Sequence, residues 1–125
     1  MTERKIESTK VAGKSVSHNP LEPLPIVRVL FLIFIKRQPY VTGYDLMGLI
    51  SDFTGGLVEM KSGTAYSELR RLETQGLVES KQEKEGRKRR SYVITSSGEE
   101  ELVQLASQMR VRVDSILNPL LSLIE

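Results

Sequence analysis

Five basic residues fall within seven consecutive positions, Lys84 to Arg90, around Gly86. Side chains of this kind, gathered on one loop, neutralise phosphate. Just upstream, Ala65, Leu69 and Leu72 recur at helical spacing. They give the segment from Ser62 to Gly76 one apolar face and leave Thr64, Ser67, Glu68 and Arg71 to point outward. The Ser62 hydroxyl can cap the free amides at the start of this helix, and Gly76 can take the left-handed conformation that ends it. Leu77-Val78 begins a strand before the basic loop, and the residues after the loop suit a second strand. Helix, strand, basic turn and strand in immediate succession are the parts of a winged helix. The chemistry they can perform is duplex recognition, with the N-terminal half of the helix in the major groove.

On that reading Ser62, Thr64, Tyr66, Ser67 and Arg71 form the recognition surface, Lys61 and Arg70 are further DNA-binding residues, and Arg87, Lys88 and Arg89 sit against the sugar-phosphate backbone or in an adjacent minor groove. Arg71 can reach either a guanine edge or a phosphate. Tyr66 joins an apolar ring to a hydroxyl tip and suits a position shared between core and phosphate. Tyr44, at the start of the preceding helix, is a further candidate for a backbone contact.

Composition narrows the function classes. The 125 residues, 39% of them hydrophobic, suffice for one domain with a modest core. The absence of cysteine removes disulfides and thiolate chemistry and fits a reducing compartment, so a cytoplasmic location is expected. The single histidine, His18, has no nearby carboxylate or second histidine. There is no Cys/His or Ser/His/Asp set, no metal-ligand cluster and no phosphate-cradling glycine loop. Neither an enzyme nor a metal or cofactor site is expected. The overall balance, 18 basic against 16 acidic residues, is close to neutral, but its distribution is not. Met60 to Arg90 carries nine basic and five acidic residues, whereas Ser96 to Glu125 carries two and five.

Around the helix and wing, the remaining segments must supply a scaffold. Residues 1–24, rich in Ser, Thr, Lys, Gly and Pro, read as a flexible N-terminal arm with no apolar period and no signal peptide. Ile26 to Ile35, IVRVLFLIFI, is apolar except at Arg28. Ten residues cannot span a bilayer, so this is a buried helix and no membrane partner is expected. The second helix begins at Thr42, with Asp45 completing a capping pattern. Leu46, Leu49, Ile50 and Phe53 share its apolar face, and Gly55-Gly56 ends it. Residues 25–95 therefore make the winged-helix domain. A last helix, capped by Thr95 or Ser96, runs to about Asn118, where Pro119 disfavours continuation. Its apolar residues Leu102, Leu105, Met109, Val113, Ile116 and Leu120 form a stripe longer than one small domain needs. Residues 96–125 are accordingly assigned as a dimerisation helix, packing with Leu30 and Phe34 of the first helix across a twofold axis.

Four motifs, GYDL (Gly43–Leu46), SGTAY (Ser62–Tyr66), LRRLETQGLV (Leu69–Val78) and RRSYVITSSG (Arg89–Gly98), make the chain from about Ile26 to Leu105 resemble the PadR family of winged-helix transcriptional regulators. The resemblance implies a mainly α fold with a small β-hairpin, a winged helix-turn-helix extended by a C-terminal dimerisation helix. It also implies a homodimeric repressor that binds an inverted-repeat operator in double-stranded DNA. Departures from the family pattern fall at Thr42 (commonly histidine), Ala65 (a larger aliphatic), Ser67 and Lys88 (proline) and Ser91 (tyrosine), and the spacing from Pro39 to Gly43 is one residue longer. Some relatives take a small-molecule effector, in certain cases sandwiched by an interface tryptophan. This chain has no tryptophan, and Phe31, Phe34 and Met109 are the residues that could line a small apolar cavity. The alternative function is a winged-helix interaction module whose basic wing binds an acidic protein.

Overall fold

The computed structural model describes residues 19–82 and 89–125. Residues 1–18, with His18, and residues 83–88, with Arg87 and Lys88, lie outside the described residues.

The fold is a winged helix-turn-helix. Helix α1, Ile26–Arg37, starts behind Pro25 and ends on Lys36 and Arg37, whose charges complement the carboxyl end of the helix dipole. Phe31, Leu32 and Ile35 are its buried residues. A two-residue strand β1, Val41–Thr42, leads into helix α2, Gly43–Phe53. The Thr42 hydroxyl accepts from the Asp45 amide at 3.1 Å, so Thr42 caps α2 as its sequence implies. At the other end the Gly56 amide reaches the Ser51 carbonyl and the Gly55 amide the Asp52 carbonyl. Both glycines have positive φ, which makes the double-bonded glycine stop of a Schellman motif. Leu46 and Ile50 enter the core and Leu49 is half-buried, but Phe53 does not share their burial. It lies past the edge of the stripe, exposed, with its ring standing edge-on to Phe34 at a centroid separation of 5.8 Å.

Helix α3 spans Ser62–Thr74 and buries Ala65, Leu69 and Leu72 completely. Its start corrects the sequence reading: the cap position is Lys61, in extended conformation and without a side-chain cap bond, and Ser62 is already helical. A hydroxyl caps only from the extended residue before the helix, so Ser62 lies one position too late. The end is as the sequence implies. Gly76 has φ +76°, its amide donates to the Glu73 carbonyl at 3.0 Å, and the Leu77 amide donates to the Leu72 carbonyl at 2.9 Å.

Strands β2, Val78–Gln82, and β3, Arg90–Ile94, pair antiparallel from Val78 opposite Ile94 to Gln82 opposite Arg90. Strand β1 adds to the other side of β3, giving the order β1-β3-β2. Helix α4, Ser96–Arg112, then begins at a knot of bonds. The Thr95 hydroxyl accepts from the Gly98 amide and donates to the Gly76 carbonyl at 2.7 Å, while the Thr95 amide donates to the Leu77 carbonyl. The end of α3, the strand β2 and the start of α4 are thereby fixed to one another.

The chain does not leave the helix at Asn118. A π-helical turn, Val113–Leu117, succeeds α4, and helix α5, Asn118–Ile124, continues with Pro119 in its first turn. The Asn118 amide bonds back to the Val113 carbonyl in the wider π register. Pro119 has no amide to return to the preceding turn, and it falls directly after the π-helical turn, where the register already departs from the α pattern.

Two compact units result. One is Pro25–Ala106, whose core gathers Phe31, Leu32, Ile35, Val41, Leu46, Ile50, Leu69, Leu72 and Val78. In the other, the described residues 19–24 accompany Ser107–Glu125. There the Arg112 guanidinium donates to the main-chain carbonyls of Asn19 and Glu22, so the last residues of segment 1–24 are tied to the helix. Among the described residues no helix is long and apolar enough to cross a membrane.

Candidate nucleic-acid interface

The site is built on the contact between the starts of α2 and α3. Gly43, the first residue of α2, is buried, and a methyl group there would lie 2.5 Å from Cε1 and 2.9 Å from the hydroxyl oxygen of Tyr66. The Tyr66 ring therefore lies directly on the α2 backbone, and only glycine permits so close an approach. The GYDL and SGTAY motifs are two halves of this one contact. It leaves Tyr66 partly buried and partly exposed, as its amphipathic shape implies.

From Tyr66 the surface continues in two directions. One open cleft is lined by Thr42, Tyr44, Tyr66, Arg89 and Arg90, and an adjoining one by Tyr66, Arg70, Glu73, Arg89, Arg90 and Tyr92. The structure thus brings together Tyr44, Tyr66, Arg70 and Arg89 from the sequence candidates. Lys61, Ser62 and Thr64 are exposed on the first turn of α3, and Ser67 is half-buried. Arg90 was not among the candidates, although it closes the basic run. It donates through Nη1 to the Ser80 hydroxyl at 3.0 Å, and Ser80 donates to Glu73 Oε2 at 2.7 Å, which pins the arginine to the wing and the wing to α3. Tyr92 is nearly fully buried behind this relay. Burial first, and then the Glu73 carboxylate, push its phenol above the ordinary value of 10.0, so it stays neutral.

Glu68 departs from the expected outward direction. Its side chain turns inward, facing Arg28 Nε at 3.7 Å and pairing with Arg71. Arg71 is accordingly not a free cation on the helix surface. Of the residues assigned to a dimer surface, Leu30, Phe34, Leu102, Met109, Val113 and Ile116 are half-buried and Leu120 is exposed, whereas Leu105 is already buried within the single chain. Phe31 is a core residue. Among the described residues, no cluster of three or more His, Cys, Asp or Glu side chains could hold a metal ion.

A three-stranded sheet, an α3 with an exposed N-terminal half and an arginine-bearing ribbon beside it define a winged-helix regulator. The model of the transcriptional regulator PadR-like family matches residues 30–104, and the chain belongs to that family. Its members are regulators of transcription and not enzymes. Among solved structures, the chain is similar to a PadR family transcriptional regulator from Eggerthella lenta, with a TM-score of 0.64, 26% identity and 93% of each chain covered. A PadR-like regulator from Bacillus cereus gives a TM-score of 0.62 at 28% identity over 77% of this chain and 91% of the other. Bacillus subtilis PadR in complex with operator DNA gives 0.58 at 25% identity over 66% of this chain; the match spans 47% of that longer chain. No curated protein sequence matches significantly.

Proposed function

We propose that the protein is a sequence-specific DNA-binding transcriptional regulator that acts as a homodimer on an inverted-repeat operator and represses by occupying a promoter. The observation that carries this reading is the convergence of Tyr44, Tyr66, Arg70, Arg89 and Arg90 in adjoining clefts beside the exposed first turn of α3. Tyrosine hydroxyls and guanidinium groups on one surface suit phosphate oxygens, and the hydroxyls of Ser62, Thr64 and Ser67 suit base edges. A relative of known structure, Bacillus subtilis PadR, is bound to operator DNA. Two α3 helices related by a twofold axis would enter successive major grooves about 34 Å apart, which sets the half-site spacing at one helical turn.

Titration of duplex DNA against salt tests this reading. Replacing Arg87, Lys88 and Arg89 by alanine is expected to weaken specific and random duplexes alike and to flatten the slope of log affinity against log salt by about 0.9 per lost phosphate contact. An unchanged slope removes the wing from the interface. Failure of the unmodified protein to bind any duplex would favour the protein-interaction module.

A further inference from the structure

Within the unit Pro25–Ala106, Arg28 of α1 links Glu68 of α3 to Glu101 of α4. Its two carboxylate oxygens are used separately: Oε2 faces Arg28 Nε at 3.7 Å, and Oε1 takes Nη1 of Arg71. Arg28 completes the chain by donating Nη1 to Glu101 Oε2 at 3.2 Å. Exposure is lowest in the middle of it, with 53% of the Arg71 side chain accessible, 12% of Glu68, 17% of Arg28 and 33% of Glu101. A carboxylate so far from water is retained only with partners, and having two of them fixes its position. What it fixes is the more exposed end of this chain, the guanidinium of Arg71.

We propose that Glu68 is the positioning residue that makes Arg71 a reader of base edges and not a holder of phosphate, with Arg28 holding Glu68 in turn. The inference rests on the DNA-binding reading above. A free arginine on a helix surface samples many rotamers and settles on the nearest phosphate, whereas bidentate recognition of guanine O6 and N7 requires a guanidinium held in one plane. Glu68 engages Arg71 through Nη1, leaves 53% of the arginine side chain exposed, and offsets the charge that would draw it to the backbone. Arg28 and Glu101 belong to α1 and α4, behind the exposed face of α3, so their contribution is to orientation alone.

The test combines selection from a random duplex pool with salt titration on the full chain. Glu68→Gln keeps the shape and removes the charge. It is expected to bind random duplex more tightly than the unmodified protein, with a salt slope steeper by about 0.9 per freed arginine, and to lose the base preference that Arg71→Ala also loses. A role confined to stability would weaken all binding and could not tighten it. Arg28→Lys, which keeps the charge but not the fork, is expected to relax the same base position in part. Arg71→Lys leaves the core untouched and is expected to abolish that preference while keeping affinity for random duplex. The inference is overturned if Glu68→Gln or Arg71→Lys selects the same half-site as the unmodified protein, or if Glu68→Gln weakens specific and random binding equally. If the unmodified protein selects no sequence, the underlying DNA-binding reading fails, and with it this one.

Discussion

The contact between Gly43 and Tyr66 can be tested by a double-mutant cycle. A Cβ at Gly43 would lie 2.5, 2.7 and 2.9 Å from Cε1, Cζ and the hydroxyl oxygen of Tyr66, against about 3.5–4.0 Å for relaxed contact. The ring would have to retreat by roughly 1 Å, and overpacking on this scale costs about 1–3 kcal/mol. Gly43 does not have positive φ, so alanine brings no backbone strain there, and its better helix propensity offsets part of the cost, by at most about 1 kcal/mol. Gly43→Ala should therefore destabilise by about 1–2 kcal/mol, which for an ordinary domain of this size lowers Tm by roughly 4–8 °C per kcal/mol. It should also weaken duplex binding, because the displaced ring belongs to both clefts beside α3. In a Tyr66→Ala background the obstacle is gone, and the same substitution should be neutral or slightly stabilising. Urea unfolding of the four proteins gives the coupling energy, expected at about 1 kcal/mol or more. Equal costs of Gly43→Ala in the two backgrounds would refute the packing argument.

Three other positions give independent tests. At Gly98 a methyl group would strike the Leu77 carbonyl oxygen and lie 2.7 Å from Ile94 Cγ1; that carbonyl is held by the Thr95 amide, so Gly98→Ala should cost about 3 kcal/mol in urea unfolding, and a cost below about 1 kcal/mol contradicts the contact. Tyr40 has φ +68° with its side chain exposed; Tyr40→Asn, better suited to the left-handed region, should raise the stability measured by urea unfolding by up to about 1 kcal/mol, and a loss would show that the tyrosine ring contributes more than its backbone costs. Because the Tyr92 phenol is held neutral above its ordinary 10.0, the stability it contributes is complete below that pH and is lost as pH rises toward its folded value; Tyr92→Phe should lessen the alkaline fall in urea midpoint, and an identical fall in both proteins excludes Tyr92 as its source.

The parts of this fold legible in the sequence are those whose cause is local. Ala65, Leu69 and Leu72 repeat at helical spacing and are fully buried. Thr42 and Asp45 are three residues apart and meet through one bond, and Gly55, Gly56 and Gly76 mark the left-handed stops where they fall. The features that escape a sequence reading depend on partners far along the chain. Glu68 looks like a surface charge because it is ionisable, although it stands at helical spacing from the core residues Ala65 and Leu72, and its partner Arg28 lies forty positions earlier. Strand β1 is two residues long and exists because β3 offers an edge to it. Arg90 lies in the visible basic run, but its fixed place depends on Ser80 and Glu73, ten and seventeen positions away. The cleft surface beside Tyr66 is of the same kind: each residue type is readable, and their convergence results from the packing of α2 on α3 and from the placing of β3 beside them.

The C-terminal segment shows how one local departure changes a functional argument. Uninterrupted α-helical spacing puts Leu120 in line with Met109 and Val113. The π-helical turn at Val113–Leu117 holds more residues per turn, so the residues beyond it are shifted by about one position. Beyond the turn Leu121 takes the azimuth that Leu120 would have held, and Leu117, Leu120 and Leu121 are 51%, 47% and 50% exposed while Ile116 is half-buried. Leu105, by contrast, is 3% exposed within one chain and needs no partner to cover it. If the proposed homodimer forms through this segment, Leu117→Glu with Leu121→Glu should place charges in its seam, where desolvation without a partner costs several kcal/mol. Light scattering should then show a folded monomer with an unchanged urea midpoint for the compact unit and a large loss of operator affinity, since each half-site retains only one recognition helix. Leu105→Glu should instead lower the urea midpoint of that unit. A dimer that survives both leucine substitutions, or an unmodified protein that is monomeric at micromolar concentration, would refute the assignment of this surface to a second copy of the chain.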